Sequence, residues 1–366
     1  MHSLDGLRGV AAVAVVVLHA WMYTERHRPD RSELAAGVIG EFRLAVLCFF
    51  VLSGFLLALP WVAARGGERE PPRLGRYALR RVARIGPAYW VAVAGSVAVL
   101  HESGHSRAVP FSDLPKFALF VQNVFHSTRN QLDPPMWSMH VEATFYVALP
   151  LIGLALVSAG RGRVRALAIC GALVVANLVW RGVAVAWQLP PEARWTLPTY
   201  LGAFACGIAA AVLIADARRH PHTTALAGGA GVALVVADSA WYAAGPTTAG
   251  RIVADLPAAA GFAAIVCALA LRPGGILGSA PLRALGALSY GIYLWHMPVL
   301  YGLQIHERLP ERFGPALLAI APLTVAAAAL SWFLVERPAI RFAARVPAAR
   351  RASRASPRSR PQPAES

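Results

Sequence analysis

Apolar residues run in long blocks along this chain. Ten stretches stand out, at about 8–24, 42–62, 85–101, 137–158, 164–187, 197–215, 223–244, 252–271, 282–303 and 315–335. Most are near the ~20 residues that an α-helix needs to cross a hydrocarbon core, the third and sixth being short. The piece 114–126 is too short to span and is expected in a loop or at the interface. The pattern predicts an all-α, polytopic integral membrane protein of about ten transmembrane helices around a central polar cavity. A membrane domain over 1–343 is expected to be followed by a disordered basic tail, 344–366, rich in Arg, Ala, Ser and Pro.

The polar positions that interrupt these blocks carry the functional information. Polar groups in apolar helices are expensive and usually face a bundle interior or a wet cavity. The first span reads LDGLRGVAAVAVVVLH. Arg8 and His19 are eleven residues apart, which places them within about 20° of each other around a helix and roughly 16 Å apart along it. Asp5 lies about 60° from Arg8 on the same side. In the second span, CFFVLSGFLLALP, Ser53-Gly54 permits close helix packing or lines a ligand channel. Arg73, Arg76, Arg80 and Arg84 then recur on one helical face with Arg81 beside it, a spacing suited to binding phosphate through planar guanidinium forks. A topological stop signal would also be Arg-rich, without needing that register. Gly86-Pro87 is expected to disrupt the start of the third span.

The fourth span opens MWSMHVEATFYVALP. Ser138, Glu142 and Tyr146 form a stripe at i, i+4 and i+8, with His140 on another face toward the headgroups. The ninth, ALSYGIYLWHMPVLYG, holds His296 deep in an aromatic helix, next to Pro298. An aromatic interfacial belt and a satisfied core histidine are the plainer readings of these groups. Asn177, Arg181, Asp238 and Asp255 in the remaining spans suit paired structural roles.

Composition agrees with a membrane location: 57% hydrophobic, 15% charged, mean hydropathy +0.50. Lys and Arg concentrate in the even-numbered loops and the tail. The positive-inside rule therefore puts both termini in the cytoplasm of a multi-pass cell-membrane protein. The net charge of +16 then needs no nucleic acid and suits anionic lipid or an anionic ligand. The four cysteines fall in apolar segments without metal spacing, so they read as buried small side chains and no metal is expected. Residues 1–20 mimic a signal peptide, but Asp5 and the polar flanks favour a retained helix.

Counting ~1.5 Å per residue from each helix start, His19, Glu142, His296, Asn177 and Asp238 fall in the outer half, Ser53 near the middle, and Arg8, Arg80, Arg81 and Arg84 at the cytoplasmic boundary. A basic mouth would lead to an acid/base chamber nearer the outside, with His19 and Glu142 converging on it.

LDGLRGVAAVAVVVLH, FFVLSGF, RRVARIGPAYW, MWSMHVEATFY, SYGIYLWHMP and VERP, in that order over about 4–338, resemble the acyltransferase family 3 of integral membrane O-acyltransferases. The resemblance implies an acyl-CoA co-substrate, usually acetyl-CoA, no permanently bound cofactor, and a sugar hydroxyl as acceptor. It matches Arg8 and His19 to the family's Arg-x10-His element and Arg81 and Arg84 to its Arg-x-x-Arg element. Glu142 matches the aromatic-flanked Glu, and His296 the late His. Two departures stand out. The usual basic leader is missing, which points to a start codon upstream, and no SGNH-type hydrolase domain follows the last span. On this reading His19, Glu142 and Arg8 carry the catalysis, with His19 as general base. Arg80, Arg81 and Arg84 hold the phosphates of CoA, and Ser53, Tyr146, His296 and Trp137 line the cavity or bind the acceptor. A proton-coupled transporter or exporter is the alternative, since intramembrane His and Glu also serve proton relays.

Overall fold

A computed structural model describes residues 2–25, 32–67, 69–101, 103–215, 221–245 and 247–346. The expected ten helices form. They are α1 (His2–Thr24), α2 (Leu44–Ala64), α3 (Leu74–His101), α4 (Trp137–Ser158) and α5 (Arg163–Ala186), then α6 (Leu197–Ala215), α7 (Pro221–Ala243), α8 (Leu256–Leu271), α9 (Ala280–Ile305) and α10 (Phe313–Ser331). After a π-helical turn over Trp332–Glu336, a short α11 (Arg337–Arg345) follows. Among the described residues nine helices are long and apolar enough to cross a membrane. α9 is 26 residues long but is not one of them, because its Tyr, His, Ser and Gly content dilutes its hydropathy. The chain is a polytopic membrane protein whose outward faces carry Val, Leu and Phe, as at Val147, Leu151, Leu318 and Leu334.

Two boundaries differ from expectation. α3 begins at Leu74 and runs unbroken through Gly86 and Pro87. Pro87 removes the donor to the Ala83 carbonyl one turn earlier, and near it the Tyr290 hydroxyl of α9 donates to the Ile85 carbonyl at 2.7 Å, tying the two helices together. The Arg stripe therefore belongs to a spanning helix rather than to a preceding loop. The membrane domain continues as helix to Arg345, two residues into the expected tail. Residues 347–366 of that tail lie outside the described residues. The piece 114–126 forms short turns in the connection before α4, as expected of a segment too short to span.

Helix pairing sets the site. α1 and α9 run side by side in the same direction, and the close crossing depends on glycine. A Cβ on Gly286 would overlap the Asp5 carbonyl, and one on Gly6 would overlap the Leu277 carbonyl. From that crossing the two helices stay in register, so His19 meets His296 and Tyr23 meets Tyr301. α2 lies against α6, where Gly54 abuts the Phe204 carbonyl. The packing role expected for Ser53-Gly54 is thus carried by the glycine. The hydroxyl turns the other way, toward α4.

Candidate functional site

The first turns of α3 and the segment before it face the C-terminal half of α2. Arg73, Arg76, Arg80 and Arg81, with Glu70, Pro72 and Tyr77, line one side of a cavity of about 560 Å³. Leu56, Leu57, Pro60 and Trp61 line the other. The helical spacing of the arginines is what turns them to one wall. Arg73 is within 4.0 Å of Glu70, and both are well exposed. Leu56, Leu57 and Arg81 also belong to the wall of a second, deeper chamber of about 170 Å³, so the two spaces adjoin.

This inner chamber gathers residues from five helices. Arg8 comes from α1, Ser53 from α2, Arg81 and Arg84 from α3, and Ser138, Glu142 and Tyr146 from α4. Ser289, Tyr290 and Tyr293 come from α9, and Phe49, Phe50 and Met139 complete an aromatic and apolar side. The Ser53 hydroxyl donates to Glu142 Oε1 at 2.5 Å. Tyr146 also hydrogen-bonds Glu142, while Arg81 and Arg8 act on the carboxylate electrostatically. The Arg81 guanidinium lies 5.8 Å from the Tyr146 ring centroid. Arg84 forms a 3.2 Å ion pair with Glu336, whose side chain is 0% exposed, and sits 5.6 Å from the Tyr290 ring. The carboxylate and three guanidinium groups thus share one small space with hydroxyls around them.

The imidazoles stand apart from it. His19 and His296 have ring centroids 4.9 Å apart, and neither is among the residues lining the chamber. Each fixes its Nδ1 on its own helix: His19 on the Val15 carbonyl at 2.8 Å, His296 on the Tyr293 carbonyl at 2.6 Å. A carbonyl only accepts, so both neutral rings carry the proton on Nδ1 and present a lone pair at Nε2. His296 Nε2 is buried and has no hydrogen-bond partner among the described residues. The expected convergence of His19 and Glu142 is therefore corrected. Glu142 bonds Ser53 and Tyr146, not His19, and lies in the arginine chamber that also holds Arg8. Counting from helix ends puts both residues in the outer half, but it does not say which neighbouring helix each one faces.

Tyr293 connects the two parts. Its ring lines the chamber on one side and lies 5.7 Å from the His296 ring on the other. Its hydroxyl donates to the Pro135 carbonyl at 2.6 Å and accepts from Ser138 at 2.7 Å. Phe49 packs edge-on to it, with centroids 6.3 Å apart.

Other expectations change with tertiary context. Trp137 does not line the chamber. It packs with Tyr200, Trp195 and Phe50, and only Phe50 of that cluster reaches the cavity. His140 is buried rather than at the headgroups, with Nδ1 donating 2.6 Å to the Phe120 carbonyl of the α3–α4 connection. Arg80 is exposed in the outer cavity, not the inner one. Asn177 donates to the Pro198 and Thr199 carbonyls, and Arg181 to Ala254 and Arg251, the structural roles expected of them. The cysteines are free, and no group of His, Cys, Asp and Glu among the described residues could hold a metal ion.

Glu336, Tyr293 and Asp133 were not singled out from the sequence for the site. Glu336 and Tyr293 lay within quoted motifs, VERP and SYGIYLWHMP, so a signal existed. The π-helical turn that aims Glu336 at Arg84 had none. Asp133, just ahead of α4, is 2% exposed with both carboxylate oxygens unpartnered among the described residues. Burial pushes its carboxyl well above the usual range, against an opposing pull from Arg107.

Comparison with known proteins agrees with this architecture. Residues 1–336 match the family described as an acyltransferase domain, acyltransferase family 3. The chain is 26% identical over 362 residues to a putative peptidoglycan O-acetyltransferase, YrhL, of Bacillus subtilis, covering 92% of this chain and 54% of that protein. It is 24% identical over 360 residues to the peptidoglycan O-acetyltransferase OatA of Listeria monocytogenes, covering 92% and 55%. To the putative membrane-bound transacylase BcsY of Komagataeibacter xylinus it is 26% identical over 377 residues, covering 95% and 85%. The chain thus spans about half the length of the first two relatives. No solved structure matches it. With its motifs in order, its helices in place and the family match running over almost the whole membrane bundle, the chain belongs to acyltransferase family 3.

Proposed function

We propose that the protein moves an acyl group, acetyl in the simplest case, from acyl-CoA to a hydroxyl of a sugar-containing acceptor, a cell-surface glycan or a glycosylated metabolite. The observation that carries this reading is the pair of adjoining cavities: an open one walled by Arg73, Arg76, Arg80 and Arg81, and a narrow one holding Arg8, Arg84, Glu142 and Ser53. A CoA thioester has that shape and charge, a polyanionic head on a slender arm. The relatives named as peptidoglycan O-acetyltransferases support the acceptor class.

In this mechanism Arg80 and Arg81 hold phosphate at the mouth, where bidentate guanidinium contacts are strongest. The arm passes Leu56 and Leu57, and the thioester carbonyl comes to lie near Arg8 and Arg84. Positive charge and the surrounding hydroxyls there stabilise the oxyanion as it forms. The acceptor approaches from the imidazole side. His19 Nε2 takes the proton of its hydroxyl as the new C–O bond forms. When the C–S bond breaks, that proton passes to the departing CoA sulfur. Glu142, held by Ser53 and Tyr146, positions the guanidinium groups and keeps the wall polar rather than orienting His19. His296 sets the second imidazole against His19. The orientation that fits is the arginine mouth and both termini at the cytoplasmic face, where acyl-CoA is made.

The test uses the full chain in proteoliposomes with acetyl-labelled acetyl-CoA and peptidoglycan fragments. The expected result is label in an alkali-labile ester with an equal release of CoA thiol. Absence of both, with soluble polysaccharide and glycoside acceptors as well, overturns the reading.

A further inference from the structure

The arginine chamber and the imidazole pair are neighbours without sharing a space, and two aromatic side chains stand where they meet. Tyr293 belongs to both sides, since its ring lines the chamber and also touches His296. It is fixed in place. The hydroxyl is held between the Pro135 carbonyl and Ser138, and the residue is 6% exposed. Phe49, packed edge-on against it from α2, lines the same wall and is only partly buried, with no polar atom to anchor it. A phenyl ring held only by packing can change rotamer where a hydrogen-bonded tyrosine cannot, provided space lies beside it. The chamber supplies that space.

The geometry points to Phe49 as the residue that sets the length of acyl chain the chamber accepts, acting as the movable half of an aromatic partition whose fixed half is Tyr293. This rests on the acyl-CoA reading above and deepens it. With Phe49 against Tyr293, an acyl group reaching past Arg8 and Ser53 meets an aromatic wall at the end of a space of about 170 Å³. A short acyl group fits in front of the wall, and a longer one meets Phe49. The same partition keeps the thioester from water until the acceptor hydroxyl is beside His19, because the imidazole side is reached only when the ring turns. Burying each added methylene in an apolar pocket favours binding by about fourfold. A chain with room to extend should therefore gain affinity with length, and one without room should not.

The experiment titrates acetyl-CoA and hexanoyl-CoA into the full-length protein in lipid nanodiscs by calorimetry, and separately follows release of CoA thiol with no acceptor present. The wild type is expected to bind hexanoyl-CoA no better than acetyl-CoA. In Phe49→Ala the ratio of hexanoyl-CoA to acetyl-CoA affinity should rise at least tenfold, and thiol release should rise with it. Phe49→Leu should fall between, and it replaces Phe49→Ala if that variant does not fold. An unchanged ratio in a folded variant overturns the partition while leaving the donor reading intact. Failure of the wild type to bind either thioester removes the donor reading, and this inference with it.

Discussion

Two clusters of charge within this bundle differ in one respect that decides their roles, the space beside them. At the end of α2 nearest its N-terminus, Arg43 bonds Asp255 at 2.5 Å and Glu41 at 3.2 Å and stacks 3.8 Å over Tyr242. Arg181 spends its guanidinium on the Ala254 and Arg251 carbonyls and lies 3.9 Å from Asp255. Only about 10 Å³ of space remains beside them. In the chamber between α1, α2, α3, α4 and α9, Arg8, Arg81, Arg84 and Glu142 surround about 170 Å³ that opens toward a larger basic cavity. Arg81 Nε is buried there without a partner among the described residues. Both clusters are costly in an apolar bundle. The first pairs its charges with one another, Arg43 Nε lacking a partner there among the described residues, leaves almost no space beside them, and pins α2, α5 and α8 together. The second keeps bonding capacity directed into empty volume, which is what a ligand needs. Ionisable residues in a membrane therefore mark function when open space accompanies them. Otherwise they mark architecture.

Substitutions can break or sharpen that contrast. The largest effect on turnover is expected at the imidazole pair: His19→Ala should lower acetyl transfer by about 10²–10⁴-fold, the usual contribution of a general base. The thermal unfolding temperature in detergent should stay near that of the wild type. A folded variant retaining more than half its rate would remove His19 from the chemistry. Arg84→Ala should lower kcat for acetyl transfer by about 10²–10³-fold, the usual cost of losing one group that stabilises the oxyanion, with KM for acetyl-CoA changed little. An unchanged kcat would make Arg84 a partner of Glu336 and nothing more. Asp255→Asn should have the smallest kinetic effect, within about threefold of wild type by the same assay. It should still lower stability by about 2 kcal/mol, because two guanidinium groups lose their carboxylate. The side chains of Arg43 and Asp255 are 28% and 22% exposed, which keeps the loss below that of a fully buried pair. A large loss of rate with unaltered stability would reverse the assignment of the two clusters.

Much of the site was legible because helical periodicity is local. Arg73, Arg76 and Arg80 face one cavity as their spacing requires, and Ser138, Glu142 and Tyr146 line one chamber from a single stripe of α4. What was not legible depended on how far one helix slides along another. Glu142 was expected to share a chamber with His19, whereas its hydrogen-bond partner is Ser53 of α2. Trp137 looked like part of the cavity and instead belongs to the aromatic cluster with Tyr200 and Trp195. His140 was expected toward the headgroups, but the connection between α3 and α4 covers it and offers the Phe120 carbonyl.

The amino-acid sequence alone therefore determined the number of helices, their apolar lengths, the faces on which their polar residues lie and the family to which the chain belongs. These follow from the 3.6-residue repeat and from the thickness of the hydrocarbon core, neither of which needs a neighbour. Only the tertiary structure decided which polar faces meet. The glycine contacts at Gly6 and Gly286 set α1 against α9 and so pair His19 with His296. The π-helical turn brings Glu336 to Arg84, and the Tyr293 ring divides the arginine chamber from the imidazoles. Helix offset and crossing depend on backbone contacts between residues far apart in the chain, and no local repeat records them.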